Sequence, residues 1–491
     1  METKLSEHRR DKKMLIPPLS DIPATPSSWL HSRLPEMLWS VLIIGNLERV
    51  DALNFFRYVG RYVQSNNIFA DVTHTALSKI SENELKLFIE HLIGYSTKIK
   101  LILRPLCNFP QLPAIDIWKS TLGAPEPMAD ASTLVNGIIK TLDHQSQEAT
   151  DCRWAKILCL ILGKRLSVLP EVLSPIVNYP SEGDMHEIRP IIRATEIAMP
   201  AEESSWSNAF WDWCYENSQC MPEDENDEKQ ESLHEDFEKQ LTERRNYYLT
   251  QNEQVLHAII THFFQVTKTS SLDVRKEVSF GLAMYSLAVF TELNFYDCSH
   301  SILGRTGLRT LIETYITFEY LLKKEKATPE IWKEFQEYGK GQTKSIYLKL
   351  KDKLIQNNSI DFEQIRLILN EDQWSEHTSI NIGQWSATNL RAMSEEAGVK
   401  DIYDAFYEYA SSYVHGNGFA LRTSSYQFCA NPLHRYHRIP KFGMVIKPSV
   451  IPDSILLLNK ILSCLALSYP TFTEKLVLFS EDAVKKINEK K

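Results

Sequence analysis

The chain has 491 residues, 43% of them hydrophobic, and a formal net charge of −9 at pH 7. That length accommodates two or three domains with sizeable cores. The acidic balance excludes a protein that coats nucleic acid through bulk charge, although a local basic patch can still bind it. Only 17 glycines, beside abundant Leu, Ile, Glu, Lys and Gln, favour an all-α fold.

The N-terminal sequence and the cysteines predict a cytoplasmic protein. Residues 1–13 are charged and lack the apolar core of a secretion signal. The longest uncharged apolar stretch, residues 278–290, is shorter than the ~18 residues that a membrane span needs. Eight scattered cysteines form no CxxC pair and show no histidine spacing typical of zinc sites. We therefore expect reduced thiols, no metal, no cofactor and no membrane contact.

Composition shifts along the chain predict two helical domains. Residues 1–27 are polar and proline-rich, as in a mobile leader. Apolar segments of helical length, such as 84–93 and 154–162, predict an N-terminal helical domain over 28–220. An acidic run predicts a linker over 221–235. A helical bundle is then expected over 236–491.

Trp206, Trp211 and Trp213 crowd into eight residues near the end of the first predicted domain. Such a cluster can be a stacking platform for a base or a peptide. Aromatic residues at this density are also typical of a core or of a seam between domains. Both interpretations remain open from the sequence.

The C-terminal half contains three clear helical patterns. Residues 301–322 alternate apolar and polar faces at helical period, residues 338–355 form a Lys-rich helix, and residues 455–467 form a core helix. On the first of these, Arg309 and Glu313 are four residues apart and can meet on one face.

A second polar face lies near the C-terminus, where Tyr407, Ser411 and His415 follow at intervals of four. This spacing places a phenol, a hydroxyl and an imidazole on one side of a helix. Gly416-Asn417-Gly418 is expected to end that helix.

Together these two faces predict a catalytic set of Arg309, Glu313, Tyr407, Ser411 and His415. Arginine binds phosphate bidentately, histidine transfers protons near neutral pH, and a carboxylate orients either group. The alternative is a buried polar network that fixes how two helices pack.

The stretch from 409 to 452 contains no acidic residue. Its cations predict a surface for an anionic substrate, and the interleaved aromatics suit a nucleotide or a single strand. The predicted substrate-binding residues are Arg422, Arg435, Arg438 and Lys441. The alternative is a surface loop whose charges offset the acidic body of the protein.

The RxxxE pair and the later YxxxSxxxH set resemble those of an uncharacterised bacterial family with a helical domain. That family is distantly similar to the HEPN superfamily of helical proteins, which often act as RNases in toxin and antiviral systems. The resemblance implies that Arg309 contacts phosphate, that His415 is the acid or base, and that Glu313 or Ser411 orients them. It also implies a homodimer with the site at its seam.

The sequence departs from the usual HEPN signature. That signature places Arg and His on one helix with four to six residues between them, and no histidine in this chain follows an arginine at that distance. Either the composite set replaces the signature, or the fold persists without nuclease activity.

Two functional hypotheses follow. The first is a metal-independent ribonuclease or phosphodiesterase, of bacterial antiphage defence or of toxin type, that acts on RNA or a nucleotide. The second is a non-enzymatic sensor or scaffold that binds a protein partner through its N-terminal domain.

Overall fold

The computed structural model describes residues 7–12, 14–16, 28–66, 71–199, 205–222, 227–351, 359–371, 379–380, 385–386, 389–441 and 446–480, without the side chains of 227–240. Helices dominate these residues, and the strands form only two short pairs. The all-α fold prediction is therefore confirmed.

The chain forms two compact units. The first consists of Met1–Glu223 and Phe428–Ile439, and the second of Asp224–Gln427 and Pro440–Lys491. The division after Glu223 falls inside the predicted linker, 221–235, but residues from Asp227 onward are helical. The segment Phe428–Ile439 groups with the first unit, although the sequence assigned it to the C-terminal domain.

Helices of the first unit are α1 (Leu34–Glu36), α2 (Leu38–Asn46), α3 (Arg49–Asn66), α4 (His74–Leu77), α5 (Glu82–Gly94), α6 (Thr97–Leu103), α7 (Ile115–Leu122), α8 (Pro127–Thr141), α9 (Gln147–Leu162), α10 (Pro170–Val177), α11 (Met185–Ala198) and α12 (Ser205–Glu216). A π-helical turn, Trp29–Arg33, precedes α1, and 3-10 turns lie at Arg104–Asn108 and Pro432–His434. Within the predicted leader, strands β1 (Arg9–Asp11) and β2 (Met14–Ile16) pair antiparallel; its residues 1–6, 13 and 17–27 lie outside the described part.

Two helices with few exposed residues form the centre of the first unit. Helix α2 is buried from Leu38 to Gly45 and packs on α8 and α9. Its Gly45 meets Gly137 of α8 so closely that a Cβ at Gly45 would lie 2.3 Å from the Gly137 Cα. Helix α9 is buried from Ala149 to Leu160, including three charged residues.

Buried charges on α9 are paired, as burial requires. Asp151 accepts hydrogen bonds from Arg49 at 2.7 Å and from the Tyr179 hydroxyl at 2.7 Å. Glu196 of α11 lies 2.5 Å from Arg33 and within 4 Å of the Arg153 and Lys156 side chains. These ion pairs join helices that are far apart in sequence.

Helices of the second unit are α13 (Asp227–Val266), α14 (Val274–Phe295), α15 (Ile302–Lys324), α16 (Ile331–Lys351), α17 (Phe362–Glu371), α18 (Leu390–Ala397), α19 (Lys400–Ile402), α20 (Glu408–Val414), α21 (Gly418–Ser425) and α22 (Ile451–Ser468). A π-helical turn, Tyr403–Tyr407, joins α19 to α20. Helix α15 is central and contacts α14, α18, α20 and α22. Strands β3 (Tyr426–Phe428) and β4 (Arg438–Pro440) pair where the chain enters and leaves the segment Phe428–Ile439.

Within the part of the chain that the structure describes, helices α14 and α22 are long and apolar enough to cross a membrane by length and composition. Both contribute buried side chains to the core of the second unit, including Phe290, Leu457 and Leu458. Two such helices are weak evidence for a membrane span, because core helices can have the same length and composition.

Candidate active site

Helix α15 positions one half of the candidate site. The Ser301 side chain caps its first turn by accepting from Gly304 N, and Leu308, Leu311 and Ile312 are buried on its inner face. Arg309 and Glu313 lie beside this apolar face and are half-buried. The helical spacing therefore places both side chains at the edge of the core, as the sequence predicted.

Helix α20 and the π-helical turn before it position the other half. Helix α20 packs on α15, with Ala410 fully buried. Tyr407 is the last residue of the turn, and His415 caps the C-terminus of α20. Gly416 follows in the left-handed region, at φ +57°, which ends the helix as predicted.

Arg309 is the centre of the cluster. Its Nε donates to Glu313 Oε1 at 2.8 Å, a second guanidinium nitrogen bonds His415 Nε2 at 3.1 Å, and the third donates to the Tyr407 hydroxyl at 3.0 Å. Four of the five predicted catalytic residues thus meet at one guanidinium group.

Ser411 is the exception. It lies one turn before His415, and its backbone carbonyl accepts from His415 N at 3.1 Å. Its hydroxyl makes none of the hydrogen bonds described for the Arg309 cluster, so its predicted role has no contact to support it.

The surroundings of Arg309 keep it charged. Partial burial alone would lower the pKa of the guanidinium, but the Glu313 carboxylate and the Tyr407 hydroxyl outweigh this effect and raise it above its ordinary value. The Arg309 side chain is 18% exposed and that of Glu313 is 41% exposed. The cluster therefore lies at the surface with its cation partly screened from water.

Tyr403 supports the site and was not predicted. Its ring stacks on Tyr407, with centroids 4.7 Å apart and planes at 20°. Burial, together with the neighbouring Tyr407 and Glu408, raises the pKa of the Tyr403 hydroxyl. The spacing of four residues between the two tyrosines was the signal that could have revealed this stack.

Beside the cluster lies a second basic pair, Arg305 and Lys447. Lys447 belongs to the acid-free stretch 409–452, whereas Arg305 was not predicted. Arg305, one turn before Arg309, donates to the carbonyls of Ser299, Ser301 and Pro448. Lys447 Nζ donates to the Thr423 carbonyl at 3.2 Å. Burial and the nearby Arg305 charge lower the pKa of Lys447. These cations fix backbone segments around α15.

The predicted substrate-binding residues divide between the two units. Arg422 is exposed on α21, and Lys441 follows β4 in the second unit. Arg435 and Arg438 belong to the first unit, where Arg435 lies over the Trp211 ring and Arg438 over the Phe428 ring. Of the four, Arg422 and Lys441 belong to the same unit as the Arg309 cluster.

All five predicted catalytic residues fall in one recognisable part of the chain. Residues 302–428 match DUF5677, a family of unknown function. The DUF5677 match confirms the predicted resemblance at the level of an uncharacterised family. Comparisons with curated proteins and with solved structures give no match.

Proposed function

We propose that the DUF5677-like part of this chain is a metal-independent ribonuclease or a related phosphodiesterase. The observation that supports this proposal is the convergence of Glu313, Tyr407 and His415 on the Arg309 guanidinium, with His415 exposed at a helix end. The bacterial antiphage-defence or toxin setting rests only on the HEPN-like resemblance of the sequence.

The guanidinium has capacity left for a substrate. Arginine carries five N–H donors, and the three hydrogen bonds of the cluster use three of them. The remaining two can bind phosphate oxygens, a geometry that arginine favours. The same charge would stabilise the negative charge that develops on a phosphodiester during cleavage.

The contact with Arg309 identifies the acceptor nitrogen of His415. Every nitrogen of the Arg309 guanidinium is a donor, so His415 Nε2 must accept the hydrogen bond and carries no proton. In the proposed reaction a phosphate oxygen of the substrate replaces His415 as the partner of this guanidinium nitrogen, which frees the lone pair of Nε2. Nε2 then takes the proton of a ribose 2′-hydroxyl, and the 2′-oxygen attacks phosphorus. The P–O5′ bond breaks, and the protonated imidazole returns its proton to the departing 5′-oxygen. The products are a 2′,3′-cyclic phosphate and a 5′-hydroxyl.

The alternative function is a sensor or scaffold, in which the Arg309 cluster is a structural brace that holds α15 against α20. The Arg309–Glu313 ion pair favours this alternative, because Glu313 already balances the charge of Arg309 without a bound ligand. A brace predicts that loss of Arg309 lowers stability and that no variant changes an enzymatic rate.

Cleavage of labelled RNA by the full-length chain separates the two functions. We expect His415→Ala and Arg309→Ala each to lower the rate by about 100-fold or more, the usual contribution of a general base. Matched controls are His257→Ala, at an exposed histidine of α13, and Arg366→Ala, at an exposed ion-paired arginine of α17. Both controls should keep the wild-type rate.

Thermal unfolding of the same variants completes the test. Because His415 is exposed, His415→Ala should leave the melting temperature close to that of wild type. A wild-type protein that leaves RNA intact, with an Arg309→Ala variant that melts early, would favour the brace.

A further inference from the structure

Four metal-binding side chains meet in the first unit. They are Cys220, Cys429, His434 and His437, and their candidate ligand atoms all lie within 4.8 Å of one another. Cys220 Sγ is 3.3 Å from His437 Nε2, and Cys429 Sγ is 3.4 Å from His434 Nδ1. Two thiols and two imidazoles are the ligand set of a structural zinc site.

The backbone of the segment Phe428–Ile439 brings three of these residues together. Cys429 N donates to the His437 carbonyl at 2.9 Å, which closes the segment into a narrow loop. Arg435 and Tyr436 both adopt left-handed conformations, with φ of +53° and +55°. Such conformations are costly for residues other than glycine. Here they turn the chain between His434 and His437 so that both imidazoles face the two cysteines.

The fourth residue comes from the chain that follows α12. Ala430 N donates to the Met221 carbonyl at 2.7 Å, and Met221 N lies 3.3 Å from Cys429 Sγ. Asn431 Nδ2 donates to the Gln219 carbonyl at 2.8 Å. These bonds hold Cys220 against the loop.

Hydrogen bonds around His434 fix its tautomer. Ser218 Oγ donates its single proton to the Cys214 carbonyl at 2.6 Å, so it must accept from its other partners. One of these partners is His434 Nε2, at 2.9 Å. Nε2 therefore carries the proton, and the lone pair of Nδ1 points towards Cys429. Metal-bound histidines are commonly oriented in this way by a partner on the second ring nitrogen.

The contact distances suit a tetrahedral ion. Zinc binds sulfur at about 2.3 Å and nitrogen at about 2.0–2.1 Å, which gives S···N edges of about 3.6 Å in a regular tetrahedron. The two S···N contacts, at 3.3 and 3.4 Å, are close to this value. Soft thiolates with imidazoles select zinc over magnesium or calcium.

We propose that Cys220, Cys429, His434 and His437 bind one Zn²⁺ as a structural site. Four protein ligands complete the tetrahedron and leave no position for a substrate. The ion fastens the loop that carries Cys429 to the chain after α12, within the same unit. This inference is independent of the proposed nuclease, whose residues lie in the second unit.

Metal content of the full-length chain, purified under reducing conditions, tests the proposal. We expect zinc and protein in equal amounts in wild type and in a Cys298→Ser control, whose cysteine lies in the second unit. Cys429→Ser and His437→Asn each remove a ligand and should lower the affinity for zinc by at least about tenfold, since even loss of a partner that orients a ligand costs that much. Both variants should therefore retain less zinc than wild type after purification.

Cobalt provides a second readout that does not depend on the zinc acquired during expression. Wild-type protein stripped with a chelator should take up Co²⁺ with the visible bands of a tetrahedral thiolate site, and Cys220→Ser, at an exposed ligand, should weaken them. A wild-type protein that binds neither ion, or a Cys220–Cys429 disulfide that persists under reducing conditions, would overturn the proposal. Equal zinc in Cys429→Ser and wild type would do the same.

Discussion

At the scale of single residues, Arg309 determines how the candidate site works. It is the side chain that contacts Glu313, Tyr407 and His415 directly. Its planar guanidinium group holds three partners at once. A lysine ammonium cannot hold them in the same geometry. Helical spacing predicted the Arg309–Glu313 pair and the Tyr407–His415 face as local features. The resemblance to a family with RxxxE and YxxxSxxxH helices joined the two.

His74 is a second residue with an unusual environment. It is fully buried between the rings of Trp118 and Trp206, and neither of its ring nitrogens has a hydrogen-bond partner among the described residues. Burial lowers the pKa of His74 from 6.5 to about 3. Nothing in the local sequence indicates this burial, because it depends on α7 and α12 packing over α4.

The buried His74 predicts a pH dependence of stability. Between pH 6.5 and about 3 the unfolded chain binds a proton at His74 that the folded protein does not. The free energy of unfolding therefore falls as pH drops below 6.5, by at most about 1.4 kcal/mol per pH unit from this group. His74→Leu, which cannot titrate, should flatten the fall in melting temperature between about pH 7.5 and 5.5.

The control for this measurement is His186→Leu, at an exposed histidine of α11. It should keep the wild-type pH dependence. An equal pH dependence in His74→Leu and wild type would show that His74 is not buried as a neutral group.

At the scale of elements, the helices were largely predictable and the turns were not. The pattern at 301–322 corresponds to Ile302–Lys324, and the pattern at 455–467 lies within Ile451–Ser468. Both patterns have strong apolar periodicity. Ser301 caps the first helix, and Pro452 lies in the first turn of the second. The π-helical turn Tyr403–Tyr407 carries no comparable signal, because its wider winding depends on packing against α15.

Helix packing in the first unit depends on a glycine contact between α2 and α8. A Cβ at Gly45 would lie 2.3 Å from the Gly137 Cα, and backbone atoms cannot yield as a flexible side chain can. We expect Gly45→Ala to force these helices apart and to destabilise the protein by about 1–3 kcal/mol. Chemical denaturation measures this change.

Gly281→Ala is the matched control. Gly281 lies in α14, and a Cβ there would meet nothing within 4 Å. Because alanine favours a helix over glycine by about 1 kcal/mol, this variant should be slightly more stable than wild type. A Gly45→Ala protein as stable as Gly281→Ala would contradict the close approach of α2 and α8.

At the scale of the whole molecule, contacts distant in sequence escaped prediction where no family resemblance linked the residues. Cys220 and Cys429 are separated by most of the second unit, so no local spacing could indicate a zinc set. For the same reason Arg435 and Arg438 were grouped with the candidate active site, although their segment belongs to the first unit. The charge pattern along the chain identifies Arg435 and Arg438 as basic residues. It does not show which of the two units contains them.

The most direct test of the proposed function is cleavage of an oligonucleotide that is DNA except for one ribose. Attack by a 2′-hydroxyl predicts that the full-length chain cuts only after that ribose and leaves a 2′,3′-cyclic phosphate, detectable by mass spectrometry. Cleavage of an all-DNA strand, or a product without the cyclic phosphate, would contradict the mechanism. An intact oligonucleotide would contradict the assignment of Arg309 and His415 as catalytic residues.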